Sequence, residues 1–132
     1  MKIFISLLIL TLSPTVFAET SCRPSEIFTQ FYAQFKTDSQ FQLQRTTFPV
    51  KKTVFVNEQP RVSYISKQSV LNKEEYLYLD QTIMADSGYI ELIKDKTSSE
   101  IKVLIGSEGS EPLVSYIFQN TTGCWSLTEY EE

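Results

Sequence analysis

Between residues 27 and 35 the apolar side chains fall at helical spacing. Ile27, Phe28, Phe31, Tyr32 and Phe35 stand at i, i+1, i+4, i+5 and i+8, which places five large groups on one face of an α-helix. Pro24 suits the first turn, where its missing N–H costs nothing, and Glu26 suits the positive helix start. Asp38 follows where its carboxylate can cap a second, short helix over Ser39 to Arg45. From Thr46 the helical period gives way to strand character. Thr53-Val54-Phe55-Val56 and Arg61-Val62-Ser63-Tyr64-Ile65 are β-branched and aromatic, and Asn57-Glu58-Gln59-Pro60 between them predicts a hairpin turn.

Asn72 and Glu75 form an N-x-x-E capping pattern that predicts a helix near residues 73–80. The succession Tyr76, Leu77, Tyr78, Leu79 inside it reads equally as a buried strand. The last third predicts a three-strand meander. Ile90 and Leu92 alternate with Glu91, and Ile101, Val103 and Ile105 alternate with Lys102 and Leu104. Leu113 to Phe118 forms the next strand, and Trp125 with Leu127 marks the last, after Asn120-Thr121-Thr122-Gly123. Turn residues cluster over 95–99 and 106–110. Helices first and strands afterwards imply an α+β fold, with N-terminal helices on one face of a curved, mostly antiparallel sheet.

The first eighteen residues follow a different pattern. Lys2 gives a positive start, Ile3 to Leu12 is apolar except for Ser6 and Thr11, Ser13-Pro14 breaks the run, and Val16-Phe17-Ala18 supplies small residues before a cut. That is the plan of a cleavable signal peptide. A membrane span needs about 20 apolar residues, and Glu19 follows too soon. The sequence thus predicts a signal peptide over residues 1–18, a single domain over 19–132, no membrane span after cleavage, and a periplasmic or secreted location.

Once Lys2 has gone, 11 basic residues face 16 acidic ones, a net charge of −5. The only adjacent basic pair is Lys51-Lys52, which reads as a solvated strand edge, and nucleic acid is not an expected partner. Cys22 and Cys124 are the only cysteines, and both lie in the exported part. In an oxidising compartment they predict a disulfide. Closing so long a loop stabilises a fold by about 4–5 kcal/mol in the chain-entropy model. The stretch Glu19-Thr20-Ser21 does not suit lipidation of Cys22, and the absence of histidine removes the usual activator of a reactive thiol.

The run Phe31-Tyr32-x-x-Phe35, then Asp38-x-x-Phe41-Gln42-x-x-Arg45-x-x-Phe48-Pro49, and finally Gly123-x-Trp125-x-Leu127, resembles an uncharacterised family of small exported bacterial proteins. That family has the cone-shaped fold of the cystatin-like and nuclear-transport-factor-two-like group. The resemblance implies a curved antiparallel sheet around a long N-terminal helix, with a pocket at the open end. It implies no activity and carries over no catalytic residue. Proteins of this fold often pair through the sheet, so a homodimer is an expectation from the resemblance.

Lack of histidine excludes Ser-His-Asp triads and most zinc sites, and the sequence points to no cofactor, metal or catalytic set. The candidate pocket or motif residues are Tyr32, Asp38, Gln42, Arg45 and Trp125. Ketosteroid isomerase shares the fold and uses an Asp base with a Tyr donor, which makes Asp38 the one acid to consider, although helix capping accounts for it fully. Arg45 has two readings. One is a structural partner, paired with Asp38 or stacked on an aromatic ring near Trp125; the other is an anion-recognising group at a pocket mouth. Gln42 offers a donor and an acceptor. Tyr32, Tyr64, Tyr76, Tyr89 and Tyr116 are the phenols for an amphipathic lining. Asn120-Thr121-Thr122 matches a glycosylation sequon but reads as a turn. The functional expectation is a non-enzymatic binding or accessory protein of the cell envelope, holding a small molecule or a protein. The alternatives are an immunity protein against an envelope-acting toxin and, after it, an isomerase or dehydratase.

Overall fold

The computed structural model describes residues 22, 25–58, 63–76 and 88–132. The leader, Pro24, Arg61, Val62 and residues 77–80 of the third predicted helix lie outside these residues. Helix α1 is Phe28–Thr37 and buries Phe28, Phe31, Tyr32 and Phe35, the apolar stripe read from the sequence. Ile27 does not belong to that stripe. It is the N-cap residue and is exposed, because a helical side chain can follow the period and still sit before the first turn closes. At ten residues α1 is short, where the resemblance implied a long helix. Asp38 ends α1 and starts α2, Ser39–Gln44, with Oδ1 accepting from the amides of Gln40 and Phe41 at 3.0 Å each.

Strands β1 (Thr46–Glu58), β2 (Ser63–Leu71), β3 (Tyr89–Thr97), β4 (Glu100–Ser107), β5 (Val114–Thr121) and β6 (Cys124–Glu131) form one sheet in the order β2-β1-β6-β5-β4-β3. All described neighbours are antiparallel except β1 and β6. The four segments read as strands in the last third are β3 to β6, so the meander has four strands and not three. The turn at residues 98–99 joins β3 to β4, and Thr122-Gly123 joins β5 to β6. Asn57 and Glu58 continue β1 instead of turning, and pair with Tyr64 and Ser63. The helix predicted near 73–80 is a 3-10 turn, Lys73–Glu75, in the described part. Its Glu75 carboxylate accepts from the Asn72 amide at 3.0 Å, and Tyr76 already has extended dihedrals.

The helices lie on one face of the sheet around Phe118, which is fully buried. The rings of Phe28, Phe31, Tyr32 and Phe35 surround it at 5.2–5.6 Å. Each such ring contributes roughly 2 kcal/mol by leaving water. The opposite face carries the ion pairs Lys51–Glu129 and Lys102–Glu131, and exposes Ile90 and Leu92 of β3. Strand β1 lies inside the sheet, so the Lys51-Lys52 pair is not at a sheet edge.

The β5–β6 connection is a two-residue turn with Thr122 at φ 56° and Gly123 at φ 88°. Both central residues of such a turn need the left-handed region, which a β-branched side chain resists. Thr122→Asn is therefore expected to raise stability by about 1 kcal/mol, read as a higher urea midpoint at unchanged slope. An unchanged or lower midpoint would show that the turn carries no strain.

Candidate functional site

Of the sequence-derived candidates, Arg45 and Trp125 meet at a buried charge. Arg45 ends α2 and is buried; its Nε donates to the Trp125 carbonyl at 3.0 Å and its Nη2 pairs with Glu26 Oε2. The guanidinium also lies 5.2 Å and 5.3 Å from the ring centres of Phe31 and Phe41. Ion pair and ring contact are thus both present, but the acid is Glu26 and not Asp38. Glu26 Oε2 further accepts from the Trp125 amide at 3.0 Å, and its carbonyl accepts from the Trp125 indole at 3.1 Å. That carboxylate serves Arg45 and β6 rather than the start of α1. Cys22 and Cys124 are disulfide-bonded with Cα atoms 5.8 Å apart, and Glu26 N donates to Gly123 O at 3.1 Å, so the segment bearing Glu26 is fixed on the turn before β6.

Tyr32 and Asp38 lie apart from this cluster. Tyr32 stacks on Phe28, and its buried hydroxyl has no hydrogen-bond partner of normal geometry among the described residues. Burial, and then the nearby Glu91 carboxylate, push its ionisation far above the ordinary phenol range. Glu91 itself binds Lys36 at 3.1 Å, and the Lys36 ammonium sits 4.7 Å from the Tyr32 ring centre. Gln42 is buried and accepts at 3.0 Å from the Tyr76 hydroxyl, which connects the motif to a cleft nearby.

That cleft, of about 190 Å³, is lined by Val50, Lys52, Leu71, Glu75, Tyr76, Tyr116, Tyr130 and Glu132. Register explains its composition. Lys52 pairs with Tyr130 and Tyr130 with Tyr116, so the three form a row across β1, β6 and β5. Val50 and Leu71 are partners on the adjoining pair. The row lies beyond Phe118, on the helix-facing side but past the helices. Tyr130 reaches this face through a bulge: Ile117 faces Glu129 while Phe118 faces Leu127, so Thr128 is an extra residue and the alternation resets.

Of the phenols named from sequence, Tyr76 and Tyr116 line the cleft; Tyr32 is in the core, Tyr89 is exposed, and the Tyr64 side chain lies outside the described part. The sequence reading missed Tyr130, Lys52, Val50, Leu71, Glu75 and Glu132. Alternation from Val50 to Lys52 is a signal for one of them, since a buried β1 residue places its second neighbour on the same face. Lys52 is accordingly not a solvated surface lysine: its Nζ binds Glu132 Oε1 at 2.6 Å and lies 5.6 Å from the Tyr130 ring centre. Tyr130 donates to Glu132 Oε2 at 2.8 Å, and its ring meets Tyr116 edge-on at 5.3 Å. These two hydrogen bonds hold the Glu132 carboxyl below its usual range. Burial, with Glu132 adding to it, pushes Tyr116 up to about 12. Among the described residues, no group of three or more His, Cys, Asp or Glu could hold a metal ion, and no helix is long and apolar enough to cross a membrane.

Two measurements test this geometry. Removing the acid beneath Arg45 leaves a buried guanidinium with too few acceptors, so Glu26→Ala is expected to cost about 3 kcal/mol in urea unfolding. A cost under about 1 kcal/mol would mean that the pair behaves as an exposed one. For the phenols, a folded value above the unfolded one favours the neutral form in the fold. The stabilisation from Tyr116 is then complete below about pH 10 and disappears as pH rises from 10 through about 12. Absorbance at the tyrosinate band should show a late-titrating class with unfolding in that window; uniform titration near pH 10 would contradict the burial.

No family model matches the chain, and no curated protein matches it. Solved structures do. A protein from Bacteroides uniformis, solved by NMR, is 20% identical with TM-score 0.59 over 83% of this chain and 78% of its own. A cystatin-like protein from Bacteroides caccae is 21% identical with TM-score 0.58 over 83% and 77%. An NTF2-like protein from Bacteroides fragilis is 19% identical with TM-score 0.51 over 84% of this chain and 48% of that one. Helices on one face of a mostly antiparallel sheet, and these likenesses in shape, establish that the chain has the cystatin-like, NTF2-like fold.

Proposed function

We propose that the chain is an exported, non-enzymatic binding protein of the cell envelope, and that the tyrosine-lined cleft holds a small amphipathic molecule. The observation that carries this reading is the lining itself. An aliphatic floor from Val50 and Leu71 faces three phenols and a few charged groups at the rim. Few polar groups in an apolar concavity are the ordinary make-up of a small-molecule site. The leader pattern in residues 1–18 and the Cys22–Cys124 bridge support the export part. Against catalysis stands the separation of the candidate groups: Asp38 spends its carboxylate on the α2 amides, while Tyr32 lies beside Glu91 in the core.

The test is occupancy of the cleft. Native mass spectrometry of protein from envelope extract should show a bound small molecule, and that molecule at a hundred times its Kd should stabilise the fold by about 2–3 kcal/mol. Leu71→Trp fills the floor and should abolish both effects while leaving the far-ultraviolet circular dichroism unchanged. A wild-type protein that carries no adduct and shows no thermal shift across a broad metabolite set would sink the proposal.

A further inference from the structure

We infer that the cleft takes a small organic cation, a primary amine or quaternary ammonium; this rests on the cleft being the binding site. The protein already places an ammonium there. Lys52 Nζ is held by Glu132 Oε1 at 2.6 Å beside the Tyr130 ring, 5.6 Å from its centre. The same carboxylate is braced by the Tyr130 hydroxyl at 2.8 Å, so it keeps its position when the ammonium leaves. An aromatic face and a fixed carboxylate around a compact positive charge are the parts by which proteins recognise amines and trimethylammonium groups. Tyr116 and Tyr76 add further aromatic surface, and Glu75 adds a second carboxylate to the wall.

The charge count argues in the same direction. Lys52 is the one cation in the lining against Glu75 and Glu132, and it is already paired. An anionic ligand would meet two carboxylates, and the one cation of the lining is already paired. A neutral ligand would gain the floor of Val50 and Leu71 but would leave the carboxylates without a new counter-charge. A cation gains the rings and the Glu132 carboxylate, and it displaces Lys52 toward solvent along a flexible stem. Its size is limited by the 190 Å³ of the cleft, which is below the usual range for drug-sized ligands. Lys52 thus acts as an internal occupant that an incoming ammonium replaces.

Choline and its uncharged carbon isostere, dimethylbutanol, provide the test, each titrated into the full chain while the tyrosine ring resonances are followed by NMR. Choline is expected to shift Tyr116 and Tyr130 saturably, with the alcohol at least about tenfold weaker, as loss of one cation–π and ion contact implies. Lys52→Met keeps the aliphatic stem, removes the competing ammonium, and is expected to tighten choline binding several-fold. Tyr130→Leu should weaken it about tenfold. Equal binding of choline and the alcohol would overturn the cation inference and leave the small-molecule site standing. Binding of neither would overturn the cation inference, while the small-molecule site stands or falls with the adduct and thermal-shift measurements. Weaker choline binding in Lys52→Met would overturn the displacement by showing that Lys52 assists the ligand.

Discussion

Arg45 sets the constraint around which this small fold is arranged. Its guanidinium is 7% exposed and cannot shed its charge, so burial is tolerable only if acceptors are brought to it. They come from two distant places, the Glu26 carboxylate and the Trp125 carbonyl, while Phe31 and Phe41 offer ring faces. Glu26 also accepts from the Trp125 amide. One charge therefore fastens the entry to α1, the end of α2 and the start of β6. The Cys22–Cys124 bridge and the Glu26 N to Gly123 O hydrogen bond hold the acid in reach. Loss of the bridge would weaken the ion pair as well as lengthen the free chain.

What could be read from the sequence was what depends on near neighbours. The stripe Phe28, Phe31, Tyr32, Phe35 declares α1 because helical period is local, and Asp38 declares the start of α2 because a cap needs only the next turn. The alternation of Ile101, Val103 and Ile105 declares β4 for the same reason. Of the features made by closure, the Cys22–Cys124 bridge and the place of Arg45 near Trp125 were legible, and others were not. Arg45 pairs with Glu26, nineteen residues away, while the nearer Asp38 caps α2 through two amides. Tyr130 was invisible as a cleft residue since strict alternation from Trp125 and Leu127 points it to the wrong face; the extra residue Thr128 corrects the phase. A bulge of that kind has no sequence signature here.

The cleft shows how charge and register combine. Lys52 and Tyr130 are partners in the only parallel pairing among the described strands, and Tyr116 follows on the antiparallel side. A shift of one residue in either pairing would send Lys52 or Tyr130 to the opposite face and dissolve the site. The adjacent row, with Val50 and Leu71, supplies an apolar base. Gln42 links the two halves of the molecule, since its side chain accepts from the Tyr76 hydroxyl while its carbonyl accepts from Thr46 Oγ1 at 2.6 Å. The motif recognised in the sequence thus supports the cleft from behind rather than lining it.

The parallel contact between β1 and β6 has a kinetic side. Thr46 pairs with Leu127 and Lys52 with Tyr130, so the middle of the sheet joins segments that the ribosome makes far apart in time. Until residues 124–131 have been synthesised, β1 lacks one neighbour, Arg45 lacks the Trp125 carbonyl and Cys22 lacks its mate. Such non-local closure is slow to form and leaves the growing chain without a finished core. A polypeptide with this wiring cannot complete the centre of its sheet until its last strand arrives.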